Sequence, residues 1–171
     1  MERLRAICLS LVVLAGCSVP SPSDIEASFW SNRELFESLA LMIDADGSAH
    51  TYTTIGSFGI GADRIGEYWP DSSRRGHWSY PATSRAVPRS EALATSGLDE
   101  SRLEQYMQAL KQIGAKRLEY YHGQIRFLMH RQGIAVSGCT IWIHYLGEDS
   151  GTEPSALTTL EGQWQLEDQC T

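Results

Sequence analysis

The sequence has no apolar run long enough to cross a bilayer. Its longest apolar stretch, near the N-terminus, has roughly ten residues, whereas a transmembrane helix needs about 20. Basic residues are also scarce, with 14 lysines and arginines against 21 acidic residues and a net charge of −7. Such a chain repels nucleic acid and anionic lipid headgroups, so neither is expected as an electrostatic partner.

The usual motifs of catalytic and metal sites are missing as well. The five histidines have neither His-x-His nor His-x-x-x-His spacing, although His130 and His144 could face each other across neighbouring strands. Ser137 is not in a Gly-x-Ser-x-Gly elbow, because Ala135 stands where the first glycine belongs. We therefore predict no catalytic residue, no metal and no cofactor apart from lipid, and the sequence favours a non-catalytic protein while leaving an enzyme open.

The N-terminus has the three-part layout of a secretory signal. Arg3 and Arg5 precede the apolar run, which ends in Leu14-Ala15-Gly16-Cys17. This last segment resembles the lipobox of bacterial lipoproteins. The resemblance implies that residues 1–16 are cleaved off and that Cys17 carries a diacylglycerol and an N-acyl chain.

Lipidation at Cys17 implies a location in the cell envelope. Two or three acyl chains hold a protein stably at a membrane, whereas one chain binds reversibly. In Gram-negative lipoproteins an aspartate after the cysteine favours retention at the inner membrane. Ser18 stands there in this chain, so the resemblance favours the outer membrane, facing the periplasm.

The chain has four cysteines. Cys8 leaves with the signal and Cys17 is consumed by lipid, which leaves Cys139 and Cys170 in an oxidising compartment. We predict a disulfide between these two, closing a loop of roughly 30 residues and stabilising the fold by about 3 to 4 kcal/mol. The alternative is two buried free thiols.

Two amphipathic helices are expected after a lipidated tether at 17–23. The first covers about 24–45, with a capping box from Ser23 to Glu26 and an exit in the left-handed conformation at Gly47. Its apolar stripe comprises Ile25, Phe29, Phe36, Leu39 and Ile43, widened by Leu35 and Met42. Asp44-Ala45-Asp46 does not begin a calcium loop, because the glycine and glutamate that such a loop needs are absent. The second helix follows the cap at 96–99 and ends at Gly114.

Strand patterns fill most of the remaining chain. Residues 50–55 are β-branched and aromatic, and two more strands flank a turn at His122-Gly123-Gln124. Another turn is expected at Gln132-Gly133, and residues 136–146 alternate. The length fits one domain. The sequence therefore predicts a single α+β domain at 24–171, with the two helices packed on a mostly antiparallel meander sheet.

The exception is a long irregular loop at 61–96, rich in serine, arginine, glycine and proline. Two interpretations stay open for it. In the first interpretation, the aromatic side chains of the loop pack on the domain and its arginines are solvated. In the second, the loop is a partner-binding surface, because tryptophan, tyrosine and arginine dominate interface energies. The candidate partner-binding residues are Tyr68, Trp69, Arg74, Arg75 and Trp78.

A second resemblance spans most of the mature chain. Phe29-x-x-Asn32-Arg33-x-x-Phe36, Gly97-Leu98-Asp99 and Gly162-x-Trp164-x-Leu166 are similar to a group of small proteobacterial proteins. Members of that group tend to have a Lys-Gly-Tyr-type sequence after Val136-Ser137-Gly138, where this chain has Cys139-Thr140-Ile141-Trp142. The group has no established activity, so it supports the extent of the domain alone.

From these features we expect a lipid-anchored cell-envelope protein that acts as a non-catalytic binding or accessory module for an envelope protein partner. The alternative is a small periplasmic hydrolase or ligand-binding module that uses the 61–96 loop as a lid. A deep pocket with converging polar side chains would favour the alternative, whereas a shallow aromatic and arginine surface would favour the first.

Overall fold

The structure is a computed structural model that describes residues 19–56, 59–62, 66–68, 85–121, 123–134, 137–146 and 157–170. Its helices are α1 (Pro22–Ser31), α2 (Arg33–Gly47), α3 (Arg89–Ser96) and α4 (Glu100–Ile113). Its strands are β1 (Tyr52–Gly56), β2 (Gly59–Ala62), β3 (Gly66–Tyr68), β4 (Arg85–Ala86), β5 (Arg117–Tyr121), β6 (Gln124–Ile134), β7 (Ser137–Leu146), β8 (Leu157–Glu161) and β9 (Trp164–Cys170).

All these strands join one sheet in the order β4-β3-β2-β1-β5-β6-β7-β9-β8. Every described pairing is antiparallel except that of β3 with β4. Sequential neighbours pair along most of the sheet, and β9 folds back between β7 and β8, which leaves β8 at an edge. The predicted class, α+β with a mostly antiparallel meander, is confirmed.

The first predicted helix is divided in two. Asn32, with φ −126° and ψ 19°, separates α1 from α2. Its side-chain amide donates to the carbonyl of Ser28 at 2.9 Å, an example of the local side-chain bonding by which asparagine competes with helix continuation. Phe29 and Phe36, one on each side of this break, are both fully buried.

The start of α1 lies two residues before the predicted one. The capping box joins Ser21 to Asp24: the Asp24 amide donates to Ser21 Oγ at 3.2 Å and the Ser21 amide donates to Asp24 Oδ2 at 2.8 Å. Pro22 occupies the first turn, where its fixed φ suits a helix and its missing N–H costs nothing. Residues 21–23 therefore belong to the helix start and not to the tether.

Gly47 does not end its helix in the left-handed conformation that we predicted. It is the last residue of α2, and Ser48 follows with φ −60° and ψ −22°. A Cβ atom at position 47 would lie 2.9 Å from Cγ of Tyr120 on β5. The glycine therefore serves close packing of α2 against the sheet.

Part of the predicted 61–96 loop is regular structure. Residues 61–62 belong to β2, short strands lie at 66–68 and 85–86, and α3 covers Arg89–Ser96. Helix α3 buries Ala92 and Leu93, and Gly97 ends it with φ +68°. Alanine and serine dominate this helix, so its sequence lacks the large apolar stripe on which the helix prediction depended.

The C-terminal end of helix α4 was predicted correctly, but its N-cap is Asp99 and not Ser96, which is the last residue of α3. The Asp99 side chain accepts from the amide of Arg102 at 2.7 Å, and Gly114 ends the helix with φ +74°. Tyr106 of α4 donates to Asp46 of α2 at 2.7 Å. Asp46 belongs to the segment for which the sequence excluded a calcium loop, and its carboxylate instead joins α2 to α4.

The two predicted turns had different outcomes. The turn at His122-Gly123 is confirmed by the pairing of Tyr121 with Gln124, with Gly123 at φ +79°. The turn at Gln132-Gly133 was wrong, because both residues lie within β6 and pair with β7. The pairing of β6 with β7 continues beyond a register shift between Leu128 and His130. A glycine-containing pair of residues was therefore not enough to predict a turn.

The core lies between the helices and one face of the sheet. Ile55, Leu118, Phe127, Ile143 and Leu166 occupy successive register positions on five strands and are all buried. Because side chains alternate along a strand, the intervening residues face the opposite side of the sheet. This alternation separates the molecule into a helix-covered apolar face and a second face of different chemistry.

Candidate functional site

A groove of about 490 Å³ lies between helix α2 and the turn that joins β8 to β9. Ala40, Tyr145 and Trp164 contribute apolar surface to it, and Arg33, Glu37, Leu41 and Glu161 contribute the groups discussed below. We call this surface, together with the adjacent Trp30, the α2 groove.

An ion triad crosses the α2 groove. Arg33 Nε lies 2.9 Å from Glu37 Oε1 on the same helix, and Arg33 Nη1 contacts Glu161 Oε2 at the end of β8. The three side chains are 39%, 44% and 50% exposed. Ion pairs at such exposure contribute only about 0 to 1 kcal/mol, so these charges are accessible to a partner and are not needed to hold the fold.

Large apolar side chains border the same groove. Leu41, one helical turn beyond Glu37, is 71% exposed, and Trp30 is 43% exposed. The Trp30 ring packs edge-on against the buried Phe29, with 5.2 Å between the ring centroids. The Arg33 guanidinium carbon lies 5.8 Å from the centroid of the Trp30 ring. Tryptophan and arginine are enriched among the energetic hot spots of interfaces, and Leu41 adds exposed apolar surface in the same groove.

The groove has a rigid base. Tyr145 and Trp164 rings lie 4.8 Å apart, and Trp164 in turn contacts Phe29 at 5.2 Å and Phe36 at 6.0 Å between centroids. Trp164 is almost completely buried. Ring contacts of this kind stabilise beyond their buried area, so the exposed groups are presented from a surface that is already ordered.

A row of polar residues crosses the second face of the sheet. Thr54, Glu119, Arg126, His144 and Gln165 occupy successive register positions on β1, β5, β6, β7 and β9. Thr54, Glu119 and His144 are at most 5% exposed. The alternation predicted for residues 136–146 is confirmed, but the second face of that strand is more polar than its sequence indicated.

His144 is the titratable centre of this polar row. Its Nε2 atom lies 2.8 Å from Glu167 Oε2. Burial lowers the pKa of His144, and the hydrogen bond and charge of Glu167 oppose that shift only in part. The imidazole is therefore neutral at neutral pH, with Nε2 carrying the proton that Glu167 accepts.

Arginines balance the carboxylates of the same face. Arg117 Nη1 lies 3.2 Å from Glu119 Oε1, Arg126 Nη2 contacts Glu119 Oε2, and the Arg126 guanidinium carbon lies 4.8 Å from the Trp142 ring centroid. Buried charges need such partners, because an unpaired charge is costly to desolvate. This ionic layer is only partly satisfied, because Thr54 Oγ1, Arg126 Nε and Gln165 Oε1 are buried without a hydrogen-bond partner among the described residues.

Most of the predicted site residues lie outside the described residues: Cys17, Trp69, Arg74, Arg75 and Trp78. Tyr68 is in β3, but its side chain is likewise outside what the structure describes. The predictions of lipidation and of partner binding by the loop therefore remain predictions.

The cysteine prediction has structural support. Cys139 is buried and disulfide-bonded, and Cys170 is its Cα partner where β7 pairs with β9. Directly opposed residues of antiparallel strands bring their Cβ atoms within reach of one another. The register thus favours the pair that we predicted, and its chemical test is given below.

Two histidine hypotheses can be compared with the geometry. His144 is the register partner of Arg126, whereas His130 is opposite Ile141, so the two histidines do not face each other. Within the described ranges, no three histidine, cysteine or acidic side chains are grouped closely enough to bind a metal ion.

Sequence reasoning missed the α2 groove. Trp30 and Leu41 lie off the apolar stripe that predicted the first helix, which comprises Ile25, Phe29, Phe36, Leu39 and Ile43. Large apolar residues on the polar side of an amphipathic helix are the available signal for such a surface. Glu161 reaches the groove from 128 residues away in the chain, which no local pattern could indicate.

No protein-family profile, curated protein or solved structure gave a significant match to this chain. The similarity to a group of small proteobacterial proteins accordingly stays a prediction. In the described part of the chain, no helix has the length and apolar character required to cross a membrane.

Proposed function

We propose that the protein is a lipid-anchored component of the cell envelope whose α+β domain binds a protein partner through the α2 groove. The observation that carries the binding role is the exposure of Leu41 and Trp30 beside a groove with an ordered aromatic base. Exposed apolar side chains grouped at a concave surface are typical of interaction sites. The anchor is supported by the lipobox-like Leu14-Ala15-Gly16-Cys17.

The anchor and the groove are close in the chain. Helix α1 begins at Pro22, five residues after Cys17, and Trp30 lies eight residues farther on. At 1.5 Å of rise per residue, Trp30 is about 12 Å along the helix from Pro22. A partner of the α2 groove is therefore expected to be an envelope protein that reaches the membrane-proximal region.

A photo-crosslinking amino acid at position 41 of the full-length chain, expressed in a Gram-negative host, tests the binding role. We expect a discrete protein adduct that is lost when Trp30 is also replaced by alanine. The matched control carries the crosslinker at Glu104, an exposed position on α4. Adducts that are equally abundant at both positions, or absent at position 41, would contradict partner binding by this groove.

Cys17→Ser tests the anchor separately. We expect loss of radiolabelled fatty-acid incorporation and accumulation of the unprocessed chain, because the thiol is the group that receives the diacylglycerol in lipoproteins. Cys8→Ser is the matched control and should be processed normally. Unchanged processing of Cys17→Ser would remove the lipoprotein proposal while leaving the groove experiment valid.

A ligand-binding module or small hydrolase is the second candidate, and the His144–Glu167 pair favours it. A carboxylate that orients an imidazole is the geometry of a general base. Among the described residues, however, no serine, threonine or cysteine side chain hydrogen-bonds to His144. The pair provides a base without a nucleophile, so the binding role has the stronger structural support.

A further inference from the structure

The α2 groove lies in an acidic surface. Helices α1 and α2 together carry six acidic residues and one basic residue, Arg33; of the six, Asp46 is paired with Arg102 of α4. Glu161 adds a further carboxylate from the opposite wall of the groove. Arg33 lies between Glu37 and Glu161 and is the sole cation of the triad, so the groove retains net negative charge.

The charge pattern discriminates between possible occupants. An anionic membrane surface would be repelled by these carboxylates, even though the groove lies near the proposed anchor. A second copy of the chain would bring two acidic surfaces together in a symmetric interface, because such an interface places the same patch on both subunits. A basic protein segment is attracted, and Leu41 and Trp30 give it apolar contact.

We propose, resting on the proposed binding role, that the partner presents a basic amphipathic segment. Its lysine or arginine side chains pair with Glu37 and Glu161, while separate large apolar side chains pack against Leu41 and Trp30. In the free protein Arg33 occupies the position of the partner's cation. Binding therefore exchanges an internal ion pair for an intermolecular one.

This exchange predicts opposite effects for neighbouring substitutions. Arg33→Gln removes the internal competitor and leaves both carboxylates available, so a basic segment should bind more tightly. Glu37→Gln combined with Glu161→Gln removes the acceptors and leaves Arg33 to repel the partner's cation. A purely structural role of the triad would make both changes weaken binding.

The test uses the mature lipidated chain in nanodiscs of zwitterionic lipid and a fluorescent amphipathic peptide of leucine and lysine, with empty nanodiscs as background. We expect the Glu37→Gln/Glu161→Gln variant to weaken binding about tenfold, Leu41→Ala by about tenfold, and Arg33→Gln to strengthen it about threefold. Glu104→Gln on α4 is the matched charge control and should change binding less than about twofold.

A peptide with glutamate in place of lysine should bind at least about tenfold more weakly, and added salt should weaken the lysine peptide. Equal binding of both peptides, or weakening by Arg33→Gln, would overturn the basic-partner proposal. Sedimentation showing a dimer that Leu41→Lys dissociates would also overturn it, in favour of a second copy.

The two proposals fail in different ways. If the position-41 crosslinker gives an adduct but the crosslinked segment of the partner is acidic or uncharged, the binding role stands and the basic-partner proposal is wrong. If no adduct forms and the peptides also fail to bind, the binding role itself is wrong.

Discussion

Nε2 of His144 and Oε2 of Glu167 are 2.8 Å apart on neighbouring strands, on the sheet face opposite the helices. Both side chains are largely buried, so the hydrogen bond is shielded from water. The pair joins β7 to β9 by side chains at a place where the backbone ladder already joins them. It gives the otherwise acid-rich fold a specific sensitivity to pH.

The pH dependence has a definite sign. Burial holds the pKa of His144 in the folded protein below its ordinary value of 6.5. The unfolded chain therefore binds a proton that the folded chain does not, and stability falls as pH drops below about 6.5. Urea unfolding at pH 7.5 and pH 5 should show this loss.

His144→Gln is the matched variant for that measurement, because glutamine keeps a hydrogen-bond donor but does not titrate. Its stability should fall less between pH 7.5 and pH 5 than that of the wild type. The pKa of His130 is also lowered, chiefly by burial, so His130 contributes its own loss of stability at low pH. His130→Gln is the control, because it removes that contribution and leaves the one from His144. Identical pH profiles for wild type and His144→Gln would refute the assignment.

Gly47→Ala should destabilise the protein by up to about 2 kcal/mol. Alanine favours a helix over glycine by about 1 kcal/mol, but its Cβ would lie 2.9 Å from Tyr120 Cγ, and overpacking of this kind costs about 1 to 3 kcal/mol. The sign could reverse in a Tyr120→Ala background, where the ring is gone, and a double-mutant cycle by urea unfolding measures that coupling. Equal costs in both backgrounds would rule out the steric explanation.

Cys170→Ser should lower the free energy of unfolding by about 3 kcal/mol, because the predicted bridge restricts the unfolded chain. Alkylation of the denatured, unreduced wild type should modify neither Cys139 nor Cys170, and peptide mass mapping identifies the linked pair. Fully reduced wild type serves as the control and should be about as stable as Cys170→Ser. Alkylation of both thiols without reductant would show that the bridge is absent.

The cap of α1 distinguishes two neighbouring serines. Ser21→Ala removes the acceptor for the Asp24 amide and should cost about 1 kcal/mol. Ser23→Ala removes only a contact with the Ser21 hydroxyl and should cost a few tenths. Thermal unfolding compares them directly, and the reverse order would restore the helix start that the sequence predicted.

Local signals found the features that depend on a few adjacent residues. Gly114 ends α4 as expected, and Gly123 lies in the turn between β5 and β6. The role of Gly47 was predicted wrongly, because the side chain that leaves no room for a Cβ atom at this position, Tyr120, is distant in the chain. Helix α3 was missed because small residues bury little apolar surface and leave a weak periodic pattern.

The site divides in the same way. The sequence indicated Cys17, Cys139 and Cys170 because sulfur chemistry depends on residue type, and it indicated the α+β class because helical and strand periodicities are local. The groove formed by Arg33, Glu37 and Glu161, and the burial of His144 beside Glu167, required β9 to fold back between β7 and β8. Tertiary structure decided these features, because burial and charge pairing depend on which strands become neighbours and not on which residues are adjacent in the chain.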